Sequence, residues 1–551
     1  MSLSRYFQPV LVIVLVALSL QLGSNQNAVL GNTLPVAVAA NSPSIPTYQW
    51  QFLSPSERAA VNASIRTIMS QRVRNITLDI ADSSGVPYTG KLQVTQTSTE
   101  FLNWVGWMEG DWPNYLAMDS SHSFESELDW SQIEPVRGTR DFSGPDWQFG
   151  QATAHGMTEF HIWLGPYFAQ CCYSFPDWAK PLEKSALSNA TNYQALKNAM
   201  RDYVGAVVSH FKGRVQLYEL WWEANAWYGN GNWPMDRIID IIKMEALTIR
   251  ATDPAAKISV DLVYLTPDGV QFENSMGSSN WTTEYFAQQL LAAGVPFDVL
   301  GLETHIGTGG EDTAGDITTL YNWLNELAKL GKPLFIWEDG LESYLPPDFE
   351  AQMGQRWWSS LWHGTPSEAK QAEYMVAETL VYLGNPSVIG LHWLRVSDAS
   401  PLSINLSDAG VLYANGTRKT SFYALEHLWN SLMVNETIQS VNGVATFRGL
   451  AGRYSVSAEG YEADPSVIYV SEGKQNTFSL VLKSTTNVTG ITSTTSGSVT
   501  ANKTVPAPAP QLVENPLLIL AGALGIAIVL LAAIVLRRRR PSSQERRHVE
   551  S

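Results

Sequence analysis

Cysteine is almost absent from this chain. Its 551 residues hold two, Cys171 and Cys172, and they are neighbours. A disulfide prefers Cα atoms further apart than adjacent residues permit, so no disulfide framework is available. Two free thiols or a strained vicinal bridge both remain open. Histidine is also scarce, at 9 residues, and no His/Cys group has metal-ligand spacing, so neither a metal nor another cofactor is expected. Basic charge is in deficit: 36 Lys and Arg stand against 52 Asp and Glu, for a net charge of −16. Part of the basic complement is confined to the end of the chain. Residues 537–551 hold six Arg and two Glu, or +4, which leaves −20 for the rest. Such an acidic body argues against nucleic acid as a partner. It would also repel acidic polymers such as uronate-rich ones. A Gly-rich phosphate loop near the first barrel strand is missing too, which speaks against a doubly wound open sheet.

The ends of the chain read as targeting and anchoring segments. Arg5 followed by an apolar run from Val10 to Leu20 has the build of a secretory signal, so 1–40 is expected to be a signal or processed segment. Leu517 to Leu536 is twenty residues without a charge, followed at once by Arg537–Arg540. That length spans a hydrocarbon core as a helix, and the arginines place the tail in the cytoplasm. The expected order is a stalk rich in Ser, Thr and Pro over 484–514, a single C-terminal transmembrane helix over 515–536 and a basic tail over 537–551. Everything before the span is then extracellular, at the cell membrane. Asn-x-Ser/Thr sequons at Asn62, Asn75, Asn189, Asn280, Asn405, Asn415, Asn435, Asn487 and Asn502 fit an exposed, glycosylated ectodomain.

Between these ends the chain has room for more than one ordinary domain. Over 43–100 the alternation of Ile76, Leu78 and Ile80 with polar residues, a turn at Gly85, and Leu92 and Val94 predict a small β-rich region. Over 101–433 strand signals alternate with helical ones. The strands are Phe101–Trp107, His122–Glu127, Thr158–Leu164, Val215–Trp222, Ile258–Tyr264, Val299–Thr304, Pro333–Trp337 and Val388–Arg395. The helices include Tyr193–His210, Ile238–Thr252, Trp281–Ala293, Thr318–Leu330 and Glu368–Leu383. Eight such repeats predict an α/β fold, a (β/α)8 TIM barrel. Short alternating strands over 434–483 predict a separate small β-sandwich.

Two of the barrel strands end in glutamate. Tyr218-Glu219-Leu220-Trp221-Trp222-Glu223 and Leu334-Phe335-Ile336-Trp337-Glu338 are apolar runs whose last residue is a carboxylate. In a parallel barrel the C-terminal strand ends collect the catalytic groups. Two carboxylates facing one another across a sugar linkage are the working parts of a glycosidase. The chain is rich in tryptophan, with 20. Trp130, Trp178, Trp222, Trp227 and Trp393 stand near the carboxylate segments and are candidate platforms for the apolar faces of sugar rings.

Nearly all of Phe101 to Leu432 resembles glycoside hydrolase family ten, best known as endo-β-1,4-xylanases, within the clan of retaining barrel glycosidases. The resemblance is carried by His122-Ser123-Phe124-Glu125-Ser126-Glu127-Leu128-Asp129-Trp130, Ile133-Glu134-Pro135, His161, Phe175-Pro176-Asp177-Trp178, Gly301-Leu302-Glu303-Thr304-His305 and Gly390-Leu391-His392-Trp393. It implies Glu223 as acid/base and Glu338 as nucleophile, in a retaining hydrolase of extracellular β-linked polysaccharide. It implies Glu125, His161, His305 and Asn225 as substrate-side residues, with His305 touching the nucleophile. The chain departs from the family at four positions: Ser126 and Trp222 replace Asn, Asp129 replaces Lys, and Glu303 replaces Gln. The catalytic pair is kept while the residues that hold the sugar are altered. A non-catalytic cell-surface glycan-binding protein on a degenerate barrel is therefore the alternative. The retaining mechanism sets two electrostatic expectations: a Glu223 raised by burial and by Glu338, and an ionised Glu338.

Overall fold

Among the described residues sixteen strands form, and the order in which they pair defines three sheets. The computed structural model describes residues 43–105, 112–164, 175–275, 277–307, 315–345, 361–398, 408–474 and 476–485. The expected signal segment, Cys171 and Cys172, the stalk beyond residue 485, the membrane span and the basic tail lie outside the described residues. Among the described residues no helix is long and apolar enough to cross a membrane.

β1 (Arg74–Asp82) and β2 (Gly90–Thr99) come first. The next eight strands are β3 (Leu102–Val105), β4 (Ser123–Leu128), β5 (Glu159–Leu164), β6 (Leu217–Leu220), β7 (Lys257–Val263), β8 (Val299–Glu303), β9 (Leu334–Glu338) and β10 (Val388–Trp393). These eight form one parallel sheet in the order β3-β10-β9-β8-β7-β6-β5-β4. The first of them pairs with the last, and the order never reverses. That is a closed (β/α)8 barrel and not a doubly wound sheet. At the β3/β4 seam side chains take over from the ladder. The Asn103 N–H donates to Ser121 Oγ at 3.0 Å, and Asn103 Nδ2 donates to Met118 O at 2.8 Å. The helical repeats form close to where the periodicity predicts them, as Ala190–Phe211, Met235–Thr252, Thr283–Ala292, Ile317–Ala328 and Glu368–Gly384.

Alternation along the barrel strands sends Leu217, Val299, Phe335 and Trp337 into one interior cluster, while Tyr218, Leu220, Leu300, Leu302 and Ile336 join the core under the helices. Gly301 leaves the space that Trp337 fills: a Cβ at that position would fall on the indole ring and on Ser259 Oγ. The Trp337 indole N–H donates to Ser259 Oγ at 3.0 Å.

Two expected domain divisions are corrected. Region 43–100 is not purely β-rich, because Pro55–Thr67 is a helix. It starts with a capping box: Ser54 Oγ accepts from the Glu57 N–H, and the Glu57 carboxylate accepts from the Ser54 N–H at 2.7 Å. Val61 and Leu53 of this segment belong to the barrel's own core. Gly384 lets the helix pack closely, since a Cβ there would meet Ser64. Nor is the sandwich confined to 434–483. After β11 (Asn435–Ser440), β12 (Val444–Gly449), β13 (Gly452–Ser457), β14 (Tyr461–Asp464), β15 (Val467–Val470) and β16 (Thr477–Ser484), the pairing runs β12-β1-β16-β14 in one sheet and β11-β2-β13-β15 in the other. Each strand of the leading region is an inner strand of a different sheet. Ile76, Leu78 and Ile80 of β1 share one core with Leu92 and Val94 of β2 and with Phe447, Tyr454 and Leu480. Apolar pattern alone could not show this, because it gives a strand's buried face and not its partner.

Candidate active site

The inward register of the barrel strands carries carboxyl groups as well as apolar ones. β4 turns Glu125 and Glu127 inward, β6 Glu219, β7 Asp261 and β8 Glu303, and β9 ends at Glu338. Six of the residues that line one small cavity are Glu125, Glu127, Glu219, Glu303, Glu338 and His392. By strict alternation after Phe335 and Trp337, Glu338 would face outward. A register slip between β8 and β9 pairs Leu302 with Ile336 but Glu303 with Glu338, so the two glutamates stand side by side at the strand ends. Glu223 is brought in by a different device. Trp221 and Glu223 have φ of 66° and 43°, a left-handed backbone that is unfavourable for such residues. The turn is held by Asp261, whose Oδ2 accepts from the Glu223 N–H at 3.0 Å. Glu223 is 4 % exposed.

Glu303 joins these groups. Its Oε2 lies 3.1 Å from His305 Nε2, and it is hydrogen-bonded to the Glu223 carboxyl. Glu223, Glu303 and His305 bring donor atoms within 4.8 Å of one another. That closeness would suit a cation, but it is also what proton sharing between carboxyl groups requires. His305 Nε2 is 3.8 Å from Glu338 Oε2, beyond hydrogen-bond reach. In this structure the imidazole therefore engages Glu303 and not the expected nucleophile. Burial pushes the His305 imidazole down to about 4, so it is neutral at neutral pH. His392, 3.6 Å from Glu125 through Nδ1, is pushed down to about 3 by burial.

The carboxyl groups are displaced the other way. Burial, then repulsion from Asp261, pushes Glu338 up to about 8 against the opposing field of Arg395. Burial pushes Asp261 up to about 7 although it accepts from the Glu223 N–H. Glu303 is held well above the carboxylate range by burial and by the charges of Glu223, Glu338 and Asp261. Glu125 and Glu219 are raised mainly by burial. The expectation of an ionised Glu338 is thus corrected: it is one member of a proton-holding cluster, whose macroscopic titration belongs to the group.

Several expected substrate contacts take packing roles. Trp130 is 1 % exposed, packed against Phe175, Trp178 and Tyr203, with its indole donating to Glu134 Oε2 at 3.1 Å. It has no open face for a sugar. Trp393 is equally buried at 1 %. Trp178 is half-buried, donates to Glu134 O at 3.0 Å and carries the Arg137 guanidinium over its ring at 5.3 Å. Asn225 spends its amide on backbone partners at Val263 and Trp281. His161 is fully buried and sits opposite Glu125 in the β4/β5 ladder. Trp222 is half-buried beside Glu223, and Trp227 is half-buried at the start of a short helix. Ser126 points at the helix layer and donates to Gln148 Oε1 at 2.6 Å. The Asn280 sequon is buried, with its Oδ1 accepting from the Trp227 N–H.

Glu127, Glu219, Asp261, Arg395 and His392 were not singled out from the sequence as site residues. The signal for three of them was available: Glu127, Glu219 and Asp261 are carboxylates two residues along from another inward position, within runs otherwise fit for burial.

Among curated proteins, the chain is 25 % identical over 229 residues to endo-1,4-beta-xylanase B of Neocallimastix patriciarum, a match covering 39 % of this chain and 23 % of that protein. The chain thus spans about a quarter of that relative's length. Solved structures similar to it include native xylanase 10B from Thermotoga maritima, at 19 % identity and a TM-score of 0.43, covering 60 % of this chain and 96 % of that one. The family 10 structure from Paenibacillus barcinonensis is 16 % identical with a TM-score of 0.43, over 60 % of this chain and 96 % of that one. The family profile of glycosyl hydrolase family 10 matches residues 118–399. This stretch is just over half the chain and contains Glu223, Glu303 and Glu338, and it makes the protein a member of glycosyl hydrolase family 10.

Proposed function

We propose that this protein is a retaining endo-β-1,4-glycanase acting on xylan or a xylan-like neutral β-1,4-glycan. The carrying observation is that Glu303, paired with Glu338 at the ends of β8 and β9, stands against Glu223 at the turn after β6. In the first step Glu338 attacks the anomeric carbon while Glu223 gives its proton to the leaving oxygen. In the second, water displaces Glu338 and its proton returns to Glu223. Family membership and the xylanase named among the relatives support the substrate class.

The test is release of reducing ends from xylan, β-glucan and mannan, with the first product's anomeric configuration followed by NMR. Cleavage with retention is the expected result, and early product of inverted configuration would sink the assignment. Binding without cleavage would select the glycan-binding alternative, which the buried Trp130 and the committed Asn225 favour. Glu338→Ala should stop turnover on every substrate. Glu223→Ala should accumulate a glycosyl-enzyme on activated aryl glycosides and be rescued by azide with retention.

The Leu517–Leu536 run and the arginines after it support anchoring of this domain on the outer side of a membrane. Deleting everything after Pro510 should release active protein from the membrane fraction. A truncated protein that still pellets with membranes would remove that reading.

A further inference from the structure

We propose that Glu303 is a positioning residue for the acid/base step: it shares one proton with Glu223 and returns that proton to Glu223 for transfer to the leaving oxygen. The inference rests on the retaining reading above and adds a third carboxyl to it.

The geometry carries it. Glu303 is 1 % exposed at the end of β8, hydrogen-bonded to the Glu223 carboxyl and 3.1 Å from His305 Nε2. Two buried carboxyl groups in contact cannot both be ionised without a large repulsion, so one proton stays between them. The surrounding acids add to that repulsion, and the Asp261 carboxyl is hydrogen-bonded to Glu303 as well. β7 presents Asp261, and β9 presents Glu338 at the position paired with Glu303. β6 presents Glu219, and β4 presents Glu125 and Glu127. The imidazoles of His305 and His392 are held neutral by burial. Among the described residues the cation opposing this charge is Arg395, which acts on Glu338. The pair therefore keeps its proton to higher pH than a lone glutamate would. A glutamine at 303, as the family pattern has it, would donate to Glu223 but could not store a proton for it.

The step balances. The bond from the anomeric carbon to the leaving oxygen breaks as the bond to Glu338 forms. The shared proton passes through Glu223 to the leaving oxygen, which leaves the pair without it until the second step. In the second step water forms the new bond to the anomeric carbon, the bond to Glu338 breaks, and the water proton returns to the pair. No further reactant is needed.

The experiment is the pH dependence of kcat/KM for wild type, Glu303→Gln and Glu303→Asp, on an unactivated β-1,4-linked oligosaccharide and on an activated aryl glycoside. For Glu303→Gln the limb that falls at high pH should move down by about one unit on the oligosaccharide, the scale on which a neighbouring charge shifts a carboxyl group. The first-step rate on the aryl glycoside should keep its profile, and Glu303→Asp should recover part of the limb. A high-pH limb that stays in place for Glu303→Gln, or a uniform fall at every pH on both substrates, would overturn the inference and leave Glu303 a packing residue. If wild type cleaves no β-1,4-glycan at all, it is the retaining reading that has failed, and this inference goes with it. Should Glu303→Gln not fold, carbon NMR of wild-type carboxyl groups decides. Glu223 and Glu303 titrating in two linked, well-separated steps is the expected result, and two independent ordinary titrations the overturning one.

Discussion

Asn225 grips Val263 by both ends of its amide: Oδ1 accepts from the Val263 N–H at 2.9 Å, and Nδ2 donates to the Val263 carbonyl at 2.9 Å. The same Nδ2 also donates to Trp281 O at 3.0 Å. A side chain two residues beyond Glu223 is thereby locked to the end of β7. Asn225→Ala should leave a buried N–H and carbonyl without partners and cost about 1–3 kcal/mol by chemical denaturation. Activity should fall with it, because the turn that presents Glu223 is freed. A variant within 0.5 kcal/mol of wild type, a threshold set by ordinary surface substitutions, would show that the clamp contributes nothing.

Trp130 separates packing from sugar binding. Trp130→Phe removes the indole donor to Glu134 and shrinks a fully buried side chain. Stability should drop by roughly 1–3 kcal/mol, while KM for oligosaccharide stays within twofold of wild type, the scatter of such measurements. A large rise in KM at unchanged stability would restore Trp130 as a substrate contact.

Gly301 is a tight point of the barrel interior beneath the site. Gly301→Ala should force the Trp337 indole aside and lengthen its bond to Ser259. The expected cost is about 1–3 kcal/mol of stability, together with reduced kcat, since Trp337 immediately precedes Glu338. Equal melting temperatures for variant and wild type would contradict the packing argument.

Stability should decrease as pH rises from 6.5 to 8. Asp119 and Asp261 are raised by burial to about 7, Glu338 to about 8 and Glu436 to about 7. Their folded forms hold protons that the unfolded chain releases near pH 4. Above that point the folded state binds more protons, so these groups favour folding most in acid, and their contribution is lost as pH passes their folded values. His305 and His392 oppose the trend only below the ordinary imidazole value of 6.5, where the unfolded imidazoles take up protons. Above 6.5 the carboxyl groups act alone among these. A urea midpoint that is flat or rising between pH 6.5 and 8 would refute the burial assignment.

The barrel was legible in the sequence because each of its strands is an apolar run between helical repeats, and the predicted strands fall within a few residues of β3 to β10. Glu223 and Glu338 were legible as carboxylates closing such runs. The left-handed backbone at Trp221 and Glu223 and the register slip beside Glu303 were not, since neither depends on residue type alone. Trp130 and Trp393 illustrate the opposite difficulty: an indole near a site can serve as wall or platform, and only the packing around it decides. The helix at Pro55–Thr67 could have been read from Ser54-Pro55-Ser56-Glu57, a capping box with proline at the first helical position. The partners of β1 and β2 lie on the far side of the barrel in sequence, beyond the reach of any local pattern.

That separation fixes an order of events during synthesis. β1 and β2 emerge early, yet the strands flanking each of them, β12 and β16 for one and β11 and β13 for the other, appear only after the entire barrel has been made. Until then both present bare backbone edges, which invite pairing with other chains. A ribosome stalled at Leu432 would hold a complete set of barrel strands tethered to two unpaired ones. The last strand to leave, β16, is the one inserted between β1 and β14, so the sandwich closes only as the chain beyond the barrel is finished.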